Sequence, residues 1–127
     1  RKFRSMESQQ FETFIIRKKD DVTIAKVTEK RIYMQTSEQF ADEIDALLGR
    51  AGKHLVIDLS DVSVMNSSAL GVLIGIQSDL ESREGGLAVV GLQPLMQEIF
   101  SRMRLELLID IGSSVDEAVE GFAAGKS

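Results

Sequence analysis

The sequence predicts an α/β domain: a mixed, mainly parallel β-sheet with an antiparallel hairpin at one edge and about four helices packed on it. Two short strand-like segments near the N-terminus are separated by charged residues. Three later apolar runs, each of strand length, are each followed by a segment of helical spacing. No linker, repeat or low-complexity tract interrupts the 127 residues. Strands alternating with helices imply parallel pairing through right-handed crossovers, because a crossover helix packs back onto a twisted sheet only with that hand. Residues 1–9 read as a flexible N-terminal segment or a remnant, residues 10–124 as one domain, and residues 125–127 as a tail.

The elements follow in order. FETFII (11–16) and VTIAKV (22–27) form the predicted hairpin across the charged turn RKKDD, suggested by the imperfectly alternating apolar sets Phe11, Phe14 and Ile16, and Val22, Ile24 and Val27. EKRIYMQ has no clear period and reads as a loop anchored by Ile32 and Met34. Thr36 to Gln39 reads as a capping box, in which a hydroxyl and a glutamine side chain satisfy orphan backbone N–H groups reciprocally. Phe40, Ile44, Leu47 and Leu48 then recur at helical spacing, and Gly49 provides a stop.

HLVIDL (54–59) is nearly continuous in apolar residues, as expected of a strand buried on both faces. After Ser60 and Asp61 a helix is predicted from the serine pair at 67–68 to about Glu84, with Ala69, Leu73, Ile76 and Leu80 on its inward face and Gly85-Gly86 at its end. Gly71 and Gly75 read as positions where this helix presses close to the sheet. LAVVG (87–91) is the next strand, Pro94 opens a helix carrying Met96, Ile99, Phe100 and Met103, and LLIDI (107–111) is the last strand. Ser114 to Glu117 forms a second capping box before a short helix with Ala118, Val119 and Phe122. The core is expected to hold Leu55, Ile57, Leu59, Val89 and Ile109.

Composition removes several classes of function. The net charge is −5, with 20 acidic and 15 basic residues. A nucleic-acid partner is therefore not expected, since binding a phosphate backbone needs a basic face. The one basic cluster, Arg1, Lys2 and Arg4, is given no function. The chain has no cysteine, which excludes disulfides, thiolate metal sites and cysteine nucleophiles. No apolar run approaches the ~20 residues of a membrane span, and no signal peptide is visible. Direct membrane insertion is not expected, and the expected location is cytoplasmic. The Asn66-Ser67-Ser68 match to a glycosylation sequon reads as accidental in that setting.

Catalytic motifs are weak. A serine nucleophile needs a base, yet the one histidine is His54, read as a strand-end residue. A nucleophile elbow would be G-x-S-x-G, whereas Met65-Asn66-Ser67-Ser68-Ala69 has neither glycine. No glycine-rich phosphate loop and no clustered metal-ligand pattern is present, so no metal, cofactor or enzymatic activity is expected. Ser67 and Ser68 remain, at the mouth of an apolar helix. Their local chemistry leaves two roles open. Serine is among the best helix caps, and a helix N-terminus is also a favourable seat for an added phosphate, by roughly 0.3–1 kcal/mol.

At this point the chain resembles a family. HLVIDLSDVSVMNSSALGVLIG (54–75) is similar to the signature of STAS domains, the fold of bacterial anti-sigma factor antagonists and of the tails of sulfate transporters. The family pattern is an apolar strand followed by D-L-S/T-x-V and then D-S-S/T-G-L-G-x-L. Asp58-Leu59-Ser60, Val62, Ser67-Ser68, Leu70-Gly71 and Leu73 match in register, while Asn66 stands for the usual Asp and Ala69 for the usual Gly. The resemblance extends over about residues 10–124. It implies a phosphorylation-switched binding protein rather than an enzyme. Unmodified, such a protein binds an anti-sigma factor that is also a serine kinase. Phosphorylated, it releases that partner, and a serine/threonine phosphatase resets it. By position Ser67 would be the phosphoacceptor, with Ser68 the second choice, and Asn66, Ser67, Ser68, Ala69 and Leu70 would form the partner-binding surface. The alternative it implies is an unphosphorylated STAS adaptor subunit of a transporter, lipid-transport or sensor complex.

Overall fold

The computed structural model describes residues 11–124. The basic cluster at Arg1, Lys2 and Arg4, the segment 1–9 and the tail 125–127 lie outside the described residues.

Two strands, β1 (Phe14–Lys19) and β2 (Val22–Val27), make the hairpin. The turn between them is only Asp20-Asp21, with φ of 53° and 71°. A two-residue hairpin turn of type I′ has φ > 0 at both positions, and aspartate tolerates that conformation better than most residues. So short a turn pairs Lys19 with Val22, which draws Arg17-Lys18-Lys19 out of the expected turn and into the strand. β1 also begins later than expected, at Phe14. The residues 29–35 expected to be loop contain β3 (Arg31–Ile32), which pairs in parallel with β5 (Val64–Met65). Ile32 is wholly buried, and that anchoring fixes two residues that have no detectable period of their own.

Helix α1 (Gln35–Leu48) starts one residue before the expected cap, after Met34 at φ 55°. Thr36 does not cap it. Instead the Ser37 hydroxyl donates to the Met34 carbonyl at 2.7 Å, and Gln39 reaches Glu12 at 2.9 Å. Then follow β4 (His54–Asp58), α2 (Ser67–Ser82), β6 (Gly86–Val90), α3 (Pro94–Arg102), β7 (Asp110–Gly112) and α4 (Val115–Ala123). The α2–β6 turn is made by Glu84, at φ 65°, as well as by Gly85. The last strand is shorter than expected. Arg104 at φ 58° leads into a 3-10 turn over Leu105–Leu107, so Leu107 and Leu108 point outward and pairing starts at Asp110. The cap at Ser114 is present: its hydroxyl accepts from Glu117 N at 3.1 Å, while the Glu117 carboxylate reaches back to Ser113 N at 2.7 Å, one residue before the N-cap of the expected box.

The main sheet runs β1-β2-β4-β6-β7, parallel from β2 onward. Every crossover steps in the same direction, so right-handedness places α1, α2 and α3 on one face. Their apolar sides meet Ala25, Val27, Leu55, Ile57, Leu87 and Val89, while α4 covers Val22, Ile24, Val56, Ala88 and Val90 on the other face. The period-two alternation is thus buried twice over. The expected core residues Leu55, Ile57, Leu59, Val89 and Ile109 are at most 1% exposed. On α2, Ala69, Leu73, Ile76 and Leu80 are equally buried, and each large side chain among them stabilises the fold by about 1.5–3 kcal/mol.

His54 ties the α4 face together. Its ring stacks on Phe122 of α4 at 4.5 Å between centroids. Burial there, and secondarily the Lys53 charge, hold its pKa below the usual histidine value. The folded state therefore binds this proton more weakly than the unfolded state. The resulting stability is present above the unfolded pKa of about 6.5 and is lost as pH falls. Melting temperature is expected to drop from about pH 7.5 to about pH 5.5. In His54→Gln this decline should flatten, and an unchanged decline would place its origin elsewhere.

Candidate functional site

The serine pair is positioned by the small β3–β5 ladder. Asn66 N donates to the Ile32 carbonyl at 2.9 Å, so the backbone remains extended through Asn66 (ψ 174°) before turning into α2. Asn66 is consequently the N-cap: its Oδ1 accepts from Ala69 N at 2.9 Å. Neither serine is the cap. The Asn66 amide nitrogen also donates to the Ser37 hydroxyl at 3.3 Å, and Ser37 in turn donates to Met34. This short chain of hydrogen bonds joins the N-termini of α1 and α2.

Ser67 and Ser68 occupy the first two helical positions and are exposed. Among the described residues their hydroxyls have no hydrogen-bond partner. The first backbone N–H groups of a helix lack intrahelical acceptors. The cap satisfies that of Ala69, which leaves those of Ser67 and Ser68 facing outward beside the hydroxyls. No acidic residue stands in the first turn. This end of the molecule therefore presents two hydroxyls, two free N–H groups and the positive end of a helix dipole. An oxyanion added here is met by donors already in place.

The remaining expected surface residues divide. Asn66 is half-buried, while Ala69 and Leu70 are 0% and 3% exposed. These two shape the site from beneath and offer a partner almost nothing to touch. Gly71 and Gly75 do not press on the sheet: a Cβ at either would meet nothing within 4 Å. They lie on the outward side of α2, below the serines. Beside the site, Tyr33 and Met34 are 43% and 73% exposed. Their proximity is not readable from local pattern, because it depends on the contact between Ser37 and Asn66, 29 residues apart in the chain.

His54 begins β4, whereas Asn66-Ser67 follows that strand's far end, and the His54 ring lies against α4 on the other face of the sheet. It is not placed to deprotonate Ser67. Among the described residues no group of three His, Cys, Asp or Glu side chains could hold a metal ion, and no helix is long and apolar enough to cross a membrane.

This architecture and this helix mouth coincide with a family pattern. The STAS domain family model matches residues 13–118. The chain belongs to the STAS domain family. It is 30% identical over 76 residues to the anti-sigma-B factor antagonist of Listeria monocytogenes, covering 60% of this chain and 67% of that protein. The crystal structure of an anti-sigma factor antagonist from Mycobacterium paratuberculosis superposes with a TM-score of 0.78 at 26% identity, over 86% of this chain and 92% of that one. An RsbS variant from Moorella thermoacetica superposes with a TM-score of 0.71 at 25% identity, over 89% of this chain and 97% of that one. In STAS terms the N-cap position holds Asn66 instead of the pattern's Asp. As a cap Asn is equivalent, and it adds the donation to Ser37 that an ionised Asp cannot make.

Proposed function

We propose that this STAS domain is an anti-sigma factor antagonist switched by phosphorylation of Ser67. Unphosphorylated, it binds an anti-sigma factor that is also a serine kinase; phosphorylated, it lets that partner go, and a serine/threonine phosphatase resets it. One observation carries the reading. The cap is supplied by Asn66, so the exposed Ser67 hydroxyl is free of structural duty at a helix end whose unpaired N–H groups suit an added phosphate. A residue so placed can gain and lose charge without unfolding its own domain. The names of the Listeria and Mycobacterium relatives support the antagonist role.

The test begins with capture of the partner from the native organism. Incubated with that partner and ATP, the parent protein is expected to take one phosphate, located on Ser67 by tandem mass spectrometry. Recovery of membrane transport subunits alone, with no label on either serine, would instead favour the adaptor reading.

A further inference from the structure

We propose that the cleft between α3 and β7 is a docking site for an extended segment of a partner protein. That segment alternates apolar and basic residues and adds to the free edge of β7 as a sixth strand. The cleft has a volume of about 510 Å³ and is walled by Leu92, Phe100 and Ile111, with Gln97, Ser101 and Glu106 supplying polar atoms. None of these is a residue of the Ser67 site, so the proposal does not rest on the phosphoacceptor reading.

The two edges of the sheet are treated differently. An edge strand exposes unpaired N–H and C=O groups, and proteins blunt such edges with charge, above all lysine. β1 carries Arg17, Lys18 and Lys19, all exposed. β7 carries no lysine or arginine: its three residues are Asp110, Ile111 and Gly112, and β6 is its only partner among the described residues. The apolar surface is concentrated on this same side. Of the eight large hydrophobic residues exposed among the described residues, Met103, Leu107, Leu108 and Ile111 fall within 103–111, and Leu107 is 72% exposed. A small molecule seated in the cleft would leave most of that surface wet, whereas an added strand with its flanks covers it. Strand addition draws affinity from main-chain hydrogen bonds and specificity from pockets for alternate side chains. Here the pocket is apolar, over Phe100 and Leu92, with Glu106 in its wall. Asp110, one residue along β7, lies on the opposite face beside α4, so apolar and acidic surroundings alternate along an added strand. No lysine or arginine among the described residues lines the cleft, which selects a cationic segment and disfavours an acidic one.

The probe is a fluorescein-labelled, end-capped peptide of alternating valine and lysine, about seven residues long. Anisotropy is expected to show binding, and amide chemical shifts should move at Gly91, Leu92 and 106–113. Glu106→Lys places like charge before the probe and should weaken binding about tenfold, as should Leu107→Ser by a smaller factor. Methylating alternate backbone nitrogens of the probe leaves its charge intact but blocks strand pairing, so binding should be lost. Ser67→Asp should bind the probe as the parent does. Equal binding of the methylated probe, shifts confined to other surfaces, or no binding by the parent would each overturn the proposal.

Discussion

Replacing Ser67 with aspartate is expected to weaken binding of the proposed kinase partner by orders of magnitude while leaving the domain's melting temperature almost where it was. The asymmetry follows from where the charge sits. A phosphate adds about −1.5 to −2 charges at neutral pH, and an aspartate adds one. Within the domain that charge meets the N-terminus of α2 and two outward N–H groups, a stabilising interaction of roughly 0.3–1 kcal/mol. At a docked interface it must be stripped of water opposite groups shaped for a neutral hydroxyl, a penalty of several kcal/mol. Each ~1.4 kcal/mol is tenfold in affinity.

Alanine variants separate signalling from structure at the same helix mouth. Ser67→Ala removes no cap, so stability should stay within about 0.5 kcal/mol of the parent, with partner binding kept and phosphorylation lost. Asn66→Ala removes the acceptor for Ala69 N and the donor to Ser37, and should cost about 1 kcal/mol or more. Ser68→Ala should still be labelled. Melting curves, partner affinity and phosphate mapping on these variants decide the matter together. Parent-like partner affinity in Ser67→Asp, or label retained by Ser67→Ala and lost from Ser68→Ala, would sink the assignment.

How much of this was legible in the sequence depended on range. β4, β6 and the inward face of α2 are written locally, in runs whose apolar period is long enough to identify. β3 and β5 have two residues each, and only their pairing across the chain makes them strands. The cap was ambiguous for a different reason. Asn66, Ser67 and Ser68 are all good caps, so local chemistry could not choose among them. The choice is made by the bond from Asn66 N to Ile32, which keeps residue 66 extended and makes it the last residue before the helix. The two α2 glycines, by contrast, were legible. Gly71 stands two residues from both Ala69 and Leu73, about 200° around the helix axis, so the periodicity that turns those residues inward turns Gly71 outward. Gly75 has the same relation to Leu73. The expectation that they press on the sheet conflicts with that geometry, and the structure sides with the periodicity.

That contrast between glycines leads to the second large effect. Gly85→Ala is expected to destabilise the protein by roughly 3–5 kcal/mol, in the range reserved for a named structural fault. A Cβ at Gly85 would lie 1.8 Å from the Lys53 carbonyl oxygen and 2.6 Å from its carbon. Both are backbone atoms, so no side chain can swing aside. The Lys53 carbonyl also accepts from Gly86 N at 2.9 Å, immediately before His54 pairs with Gly86. Moving Lys53 away would break that bond and disturb the first rung of the central parallel ladder. For a domain of this size the loss should lower the melting temperature by roughly 10 °C or more. Gly75→Ala should act with the opposite sign. The new methyl enters open space on an exposed helix face, and removing a mid-helix glycine stabilises by about 0.5–1 kcal/mol. Gly71→Ala should gain as much, but it lies one turn below the serines. A loss of partner affinity in Gly71→Ala that is absent in Gly75→Ala would measure how far down α2 the docked partner reaches. Thermal unfolding of the three variants is the check. A Gly85→Ala protein that melts with the parent would mean residue 85 does not approach Lys53, and a destabilised Gly75→Ala would mean α2 packs against something on that face.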